Sequence, residues 1–497
     1  MLSCRFSRVY AAGVMGAIAV AFAIACQQTS DPPPSPPDDL AMGDMAVGPD
    51  LSPYNTPVIT SISPTSGLNN VATSITITGT DFRPGAQVTV GGAACTGVSV
   101  ASSTTISCTV PAKAVTCGPR DIVVTHPDDG KSATGVKLFT YRSIGPVGFG
   151  AFANYATAAG PRRVIAVDTN ADGNLDLVNV NQAGNSITVK TGLGDGTFPA
   201  GASQNLTLGN GASGPADLVT GDVNKDGKPD IVVVNSGASN ISVFLNMGAS
   251  IFAPASVIAT PGITAANSIA IGDFTGDGNL DLVIASSSSA SVLPLIGNGS
   301  GGFTPAATRS VAGNVSDLAL ADLNGDSKLD LVTANSSTGN VSVCNGNGTG
   351  TFANPTNQNT GSGASGVFVT DLDGDKKLDV VVSNATAMNV SVLTGDGTGA
   401  LALPVNQPLS TARPESVWVT DLSGDGLLDI VTANNLDNTV SYLQGITAKQ
   451  YAAAVTSNSG AGPSGIIVAD LNGDRLPDIA LASSATNNVQ VALQLCK

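Results

Sequence analysis

Asp470-Leu-Asn-Gly-Asp-Arg-Leu-Pro-Asp478 is the last of seven copies of one nine-residue string, and that string decides the fold. The other copies open at Asp168, Asp222, Asp273, Asp322, Asp371 and Asp421, at spacings of 54, 51, 49, 49, 50 and 49 residues. Aspartate holds positions 1, 5 and 9 in every copy.

That pattern suits a hard cation. Ca²⁺ takes six to eight oxygens at roughly 2.3–2.6 Å. Position 1 supplies Asp168, Asp222, Asp273, Asp322, Asp371, Asp421 and Asp470. Position 3 supplies Asn170, Asn224, Thr275, Asn324, Asp373, Ser423 and Asn472, each with a side-chain oxygen. Position 5 supplies Asp172, Asp226, Asp277, Asp326, Asp375, Asp425 and Asp474. Position 7 would offer a backbone carbonyl, from Asn174, Lys228, Asn279, Lys328, Lys377, Leu427 or Leu476. Position 9 would close the shell with Asp176, Asp230, Asp281, Asp330, Asp379, Asp429 or Asp478. Position 6 should turn left-handed, which favours Gly. It is Gly in four copies and Ser327, Lys376 and Arg475 in the others, where strain of about 1 kcal/mol is expected. An EF-hand is excluded, since it needs flanking helices and a Glu at position 12, and the chain's single Glu, Glu415, lies outside the strings. Converging carboxylates without a cation would repel. Up to seven structural Ca²⁺ ions are therefore expected, and they would offset most of the net charge of -16.

Strands flank every string. One enters, as in Val417–Thr420; one leaves, as in Asp379–Asn384; a third follows, as in Asn389–Leu393. A Gly-rich turn leads to a fourth, expected to open at Phe198, Phe252, Phe303, Phe352, Leu401 or Tyr451. Four strands in about 50 residues make a propeller blade. The seventh repeat ends after its third strand, so Gly150-Ala151-Phe152-Ala153 should complete it and close a seven-bladed β-propeller over residues 142–497. With Gly196-Thr197-Phe198 and Gly350-Thr351-Phe352, the repeat resembles the FG-GAP/VCBS, integrin-α type. The resemblance implies ligand binding on one propeller face and calcium stiffening the loops of the other.

Composition agrees with an all-β chain. The 497 residues hold 58 Gly and only 12 % charged residues, with 37 acids against 21 bases. A pI near 4.2 offers no footprint for nucleic acid. One histidine makes His-based metal sites and His-dependent triads improbable.

Residues 1–25 form an export signal, with Arg5 and Arg8 before an uncharged run from Ala11 to Ala25 that is short for a bilayer span. Ala23-Ile24-Ala25-Cys26 resembles a bacterial lipobox, which implies lipidation of Cys26 and a membrane anchor. Gln27 in place of Asp favours the outer membrane, by analogy with enteric bacteria. Residues 26–56, with Asp31-Pro-Pro-Pro-Ser-Pro-Pro37, form an extended tether.

Residues 57–141 alternate as short strands and turns, an immunoglobulin-like sandwich. Ile62-Ser63-Pro64-Thr65-Ser66-Gly67, Ile77-Thr78-Gly79-Thr80-Asp81-Phe82 and Val90-Gly91-Gly92 resemble the IPT/TIG family, which implies a spacer or interaction module. Exported cysteines tend to pair. Cys95 and Cys108 flank adjacent strands and are the preferred disulfide, although any two of Cys95, Cys108 and Cys117 could join. Cys496 could be free or bonded to Cys117. His126, beside Pro127, is expected as a solvated loop residue, and Cys344 as a core thiol.

The expected function is a lipid-anchored binding or adhesion protein with a protein or glycan partner and no catalytic role. A lectin-like propeller is the alternative; its aromatic platforms are scarce, with Trp418 and Phe368 the candidates near the channel. A polysaccharide-acting enzyme is less favoured, since no Gly-x-Ser-x-Gly or HExxH string occurs.

Overall fold

A computed structural model describes residues 55–69, 71–112, 118–142, 148–410 and 412–495. The export signal, Cys26, nearly all of the tether, Cys117 and Cys496 lie outside the described residues. The described chain is all-β apart from one short 3₁₀ turn at Ala200–Ala202.

Alternation builds the N-terminal sandwich. Along Thr73–Thr80, Ile75, Ile77 and Gly79 point inward and the Thr and Ser residues outward. One sheet orders Val58–Ser63, Thr73–Thr80, Thr105–Val110 and Thr96–Ser102. The other orders Ser66–Leu68, Ser132–Arg142, Gly118–Thr125, Gln87–Val90 and Ala93–Ala94. Between them lie Ile75, Ile77, Val88, Ile106, Ile122, Phe139 and Tyr141.

Two expectations for this domain need correction. Cys95 and Cys108 do meet in the core, but as free thiols, not as a disulfide. Thr96 pairs with Thr109, so the cysteines one residue earlier on each antiparallel strand are diagonal neighbours, a longer reach than a direct pair. His126 is fully buried, not solvated. It opens a tight turn whose ends it ties, its N–H donating to the Lys131 carbonyl and its own carbonyl accepting from Gly130. Arg83 donates to its Nδ1 at 2.7 Å and also holds Asp128 and Asp129. An Nδ1 that accepts places the ring proton on Nε2, which is buried with no partner among the described residues.

The repeats form seven antiparallel sheets, blades 1–7 in loop order; six have four strands, and in blade 3 the outer strand is split into Phe303–Pro305 and Arg309–Ser310. Blade 5 is typical: Ala364–Thr370, Asp379–Asn384, Asn389–Leu393 and Val405–Pro408, from inside to outside. The inner strands touch in sequence around a ring, and the blade 7 strand Pro463–Ala469 touches the blade 1 strand Pro161–Val167. Blade 7 takes its outer strand from the N-terminal side of the repeats: Ala153–Ala156 pairs antiparallel with Asn488–Val491. This is the expected closure, set three residues later than Gly150. An offset of four residues recurs elsewhere. Phe252 and Tyr451 lie in small hairpins, and the outer strands of those blades begin at Ser256 and Val455. The ring is needed inside: Phe352 is buried between blades, 5.3 Å from Phe274.

The second and third strands are buried on both faces and read as apolar runs such as Asp230–Asn235. They end in amide clasps that the sequence reading missed. Asn335 donates to Asn340 Oδ1 at 2.9 Å and Ser342 Oγ at 2.8 Å, and Ser342 donates on to Asn357 at 2.7 Å. Asn384, Ser391 and Asn406 repeat the chain of bonds one blade later. The signal was present as a recurring Asn followed five and seven residues later by Asn and Ser. Cys344 is buried in the core, as expected.

Burial, and then the neighbouring Arg83, lower the His126 pKa against the opposing pull of Asp129, Asp128 and Asp81. The unfolded chain therefore takes up a proton near pH 6.5 that the folded one refuses. Sandwich stability should fall as pH drops below about 6.5, by at most about 1.4 kcal/mol per pH unit. Urea melts of wild type and His126→Gln between pH 7.5 and 5.5 check this; parallel slopes would refute it.

Candidate functional site

Each nine-residue string is the loop between a blade's inner and second strands. Position 2 anchors it: Val223, Phe274, Leu323, Leu372, Leu422 and Leu471 are apolar and buried in six loops, and Thr169 is buried in loop 1. Position 6 is left-handed in all seven loops, including Ser327 (φ 65°), Lys376 (φ 67°) and Arg475 (φ 64°). Position 4 is left-handed in all seven as well, a requirement not anticipated. Gly fills it in five loops, and Ala171 (φ 62°) and Lys225 (φ 64°) accept the strain in the other two.

Two left-handed turns curl the backbone N–H groups inward onto the acids. Asp222 accepts from Asp226 N at 2.9 Å and Gly227 N at 2.8 Å. Asn224 accepts from Asp226 N at 3.0 Å, and Asp226 from Lys228 N at 3.0 Å. The other loops repeat these bonds with small changes. In loop 5, Asp371, Asp373 and Asp375 bring carboxylate oxygens within 4.8 Å of one another. The donor set at positions 1, 3 and 5 is oxygen alone, which fits a hard cation and not a thiophilic metal.

Position 9 stands apart. Asp176, Asp230, Asp281, Asp330, Asp379, Asp429 and Asp478 are completely buried at the start of each second strand. Both oxygens are engaged by backbone. In blade 6, Asp429 accepts from Leu422 N at 2.8 Å and, sixteen residues on, from Gly445 N at 2.8 Å. The equivalent pair recurs in every blade, through Gln494 N in blade 7. This residue is a staple between the loop and the end of the third strand, whatever else it ligates. Burial pushes Asp230, Asp330 and Asp429 up to about 6 and Asp478 to about 7, against the backbone hydrogen bonds. Position 7 side chains turn back to position 5: Lys228 reaches Asp226 at 2.9 Å and Lys328 reaches Asp326 at 3.4 Å.

The other end of the ring carries a polar recess of about 320 Å³, lined by Gly160, Arg162, Gln182, Ala183, Glu415, Asn435, Ser464 and Ser484. These residues lie at the starts of inner strands and in the hairpins after second strands, so the recess opens opposite the loops. Burial, and then Arg163, lower the Arg162 pKa, and Glu415 opposes them. Beneath it, on the axis, buried Arg163 stands 3.8 Å from both Asp217 of blade 2 and Asp317 of blade 4. Ser268 donates to both carboxylates, at 3.3 and 3.0 Å. Trp418 packs on Phe368, ring centroids 5.3 Å apart, within the inter-blade cores.

Comparison with known proteins places these features in a family. The model of an FG-GAP-like repeat matches residues 168–233, 222–284, 273–333, 322–382, 371–432 and 421–481. The chain belongs to the FG-GAP-like repeat family. An IPT/TIG domain matches residues 57–141. No curated protein matches the chain. Among solved structures it is similar to an auxiliary nutrient binding protein from Bacteroides ovatus, with TM-score 0.40 and 14 % identity, over 89 % of this chain and 100 % of that one. A second protein so described, from Bacteroides thetaiotaomicron, gives TM-score 0.38 and 13 % identity over 90 % and 99 %. A protein from Lactobacillus plantarum gives TM-score 0.48 and 10 % identity over 70 % and 97 %.

The staple reading separates two roles for position 9. Asp429→Ala strands three buried N–H groups, those of Leu422, Ser423 and Gly445, and should cost about 2–3 kcal/mol in urea melts. The loss should be present in EDTA as well as in calcium. A loss seen only in calcium would make Asp429 a ligand alone.

Proposed function

We propose that this FG-GAP-like repeat protein is a calcium-stabilised, lipid-anchored binding protein of the bacterial outer membrane, with no catalytic role of its own. One observation carries the reading: the ring keeps its carboxylate loops at one end and a polar recess at the other. Calcium at the loops would supply positive charge to acids already curled into turns, holding the blade ends in place. Partner recognition would then fall to the recess. Arg162 offers a partly desolvated guanidinium, Glu415 a carboxylate, and Gln182, Asn435 and the serines neutral donors and acceptors. Such a lining suits a polar surface of mixed charge on a protein partner. A sugar would ask for a stacking face, and Trp418 is turned into packing against Phe368.

The full-length protein, solubilised in detergent and loaded with calcium, should retain an envelope partner on an affinity column. Arg162→Gln with Glu415→Gln should cut that retention at least tenfold without shifting the melting temperature. Undiminished retention by the double variant would rule out the recess, and saccharide binding on a glycan array would favour the lectin reading instead. Cys26→Ser should move the protein from the membrane to the soluble fraction of the cell envelope. A variant that stays with the membrane would count against the anchor.

A further inference from the structure

The turn after each third strand, Gly-Thr-Phe in two repeats, leans on the loop of the repeat before it. The N–H of Gly301 donates to the Val223 carbonyl in loop 2 at 3.0 Å, and the N–H of Gly196 donates to Leu471 in loop 7 at 3.1 Å. The first residue of this turn is left-handed throughout: Gly196, Ser250, Gly301, Gly350 and Gly399 have φ between 56° and 87°. Four of these five are Gly, as that conformation favours. Ser250 uses its short side chain to touch Thr169 of loop 1 at 2.6 Å.

In the sixth repeat this position is Lys449, held at φ 61°. A long side chain accepts strain here where the other repeats use Gly or Ser. Its Nζ enters loop 5, 2.5 Å from Asp373 Oδ2 and 3.2 Å from the buried Asp379 Oδ1. Loop 5 differs from the others in a matching way. It alone has an aspartate at position 3, which makes four carboxylates: Asp371, Asp373, Asp375 and Asp379. The extra negative charge and the extra positive charge thus come from different repeats and meet at one place. Lys449 is mostly shielded from solvent, its side chain 16 % exposed, and Asp379 is fully buried. A pair so screened from water keeps an attraction that a surface pair loses.

We propose that the Lys449 ammonium is the resident cation of loop 5, occupying the place that calcium takes in the other loops. The inference rests on the calcium reading above for those other loops, and not for loop 5 itself. An ammonium donates to oxygens much as a metal accepts from them, but it cannot gather six to eight ligands. The junction of blades 5 and 6 would therefore stay assembled when calcium is withdrawn, while the other junctions loosen.

Two measurements on the full-length protein in detergent test this. In EDTA, Lys449→Met, which keeps the stem and removes the charge, should lower the melting temperature by about 2–4 °C. Asp373→Asn added to it should recover part of that loss, because the two residues are coupled. Additive effects in EDTA would overturn the proposal. In a calcium titration followed by native mass spectrometry, Lys449→Met should bind one more ion than wild type. Equal, non-zero counts would also overturn it. Binding of no calcium by either protein would defeat the calcium reading instead, and the EDTA coupling would then decide the role of Lys449 by itself.

Discussion

A buried carboxylate with both oxygens bound to backbone N–H groups is the constraint on which each blade depends. Position 9 sits where the loop becomes the second strand. One oxygen holds the second residue of the loop, and the other holds the chain as it leaves the third strand. Three segments are fixed relative to one another by one side chain. Burying a charge in an apolar blade is costly unless hydrogen bonds surround it. The backbone N–H groups supply part of that compensation, and burial still pushes the carboxyls of Asp230, Asp330, Asp429 and Asp478 upward. The cation proposed for the loops would complete it, and would so link loop chemistry to blade stability.

The opposite blade ends solve a similar problem with neutral groups. Asn235 and Asn434 are buried as completely as the position 9 aspartates, yet their amides donate across to the third strand. Each second strand is thus an apolar run pinned by a polar group at either end. The apolar middle supplies burial without specifying register, since a shifted strand of valines would pack nearly as well. The polar ends specify it, because a slip of one residue would strand buried donors and acceptors. This division explains how loop residues can vary between repeats, from Gly to Lys to Arg at position 6, without loss of the blade.

Much of this was legible in the sequence, and for a definite reason. Loop spacing, strand pattern and the missing last strand are local or periodic features, and periodicity survives in one dimension. The seven sheets and the closure by Ala153–Ala156 follow from counting. The errors came where a partner lies elsewhere in the chain. Phe252 looked like the head of the outer strand because aromatics favour strands; its place was set by the gap between blades. His126 looked solvated beside Pro127, but Arg83, 43 residues away, covers it. Lys449 sits in an ordinary polar hairpin by sequence, and its meaning depends on loop 5, some 70 residues earlier. Arg163 is similar, since its carboxylates belong to blades 2 and 4.

The sandwich bears on which end of the ring is free. Lys137, at φ 52° in the strand Ser132–Arg142, donates from Nζ to the carbonyl of Gly473 in loop 7 at 3.2 Å. Gly473 is the left-handed position 4 of that loop. The N-terminal domain therefore meets the propeller on the loop side, as its chain enters to form the outer strand of blade 7. The hairpins around Arg162 and Glu415 lie at the other end of the same strands, across the length of the blades. Loop 7 is held by its blade and by the sandwich, whereas the recess end is tied by its own clasps and by Arg163 between Asp217 and Asp317. The sandwich contact at loop 7 and the polar recess thus lie at opposite ends of the blades.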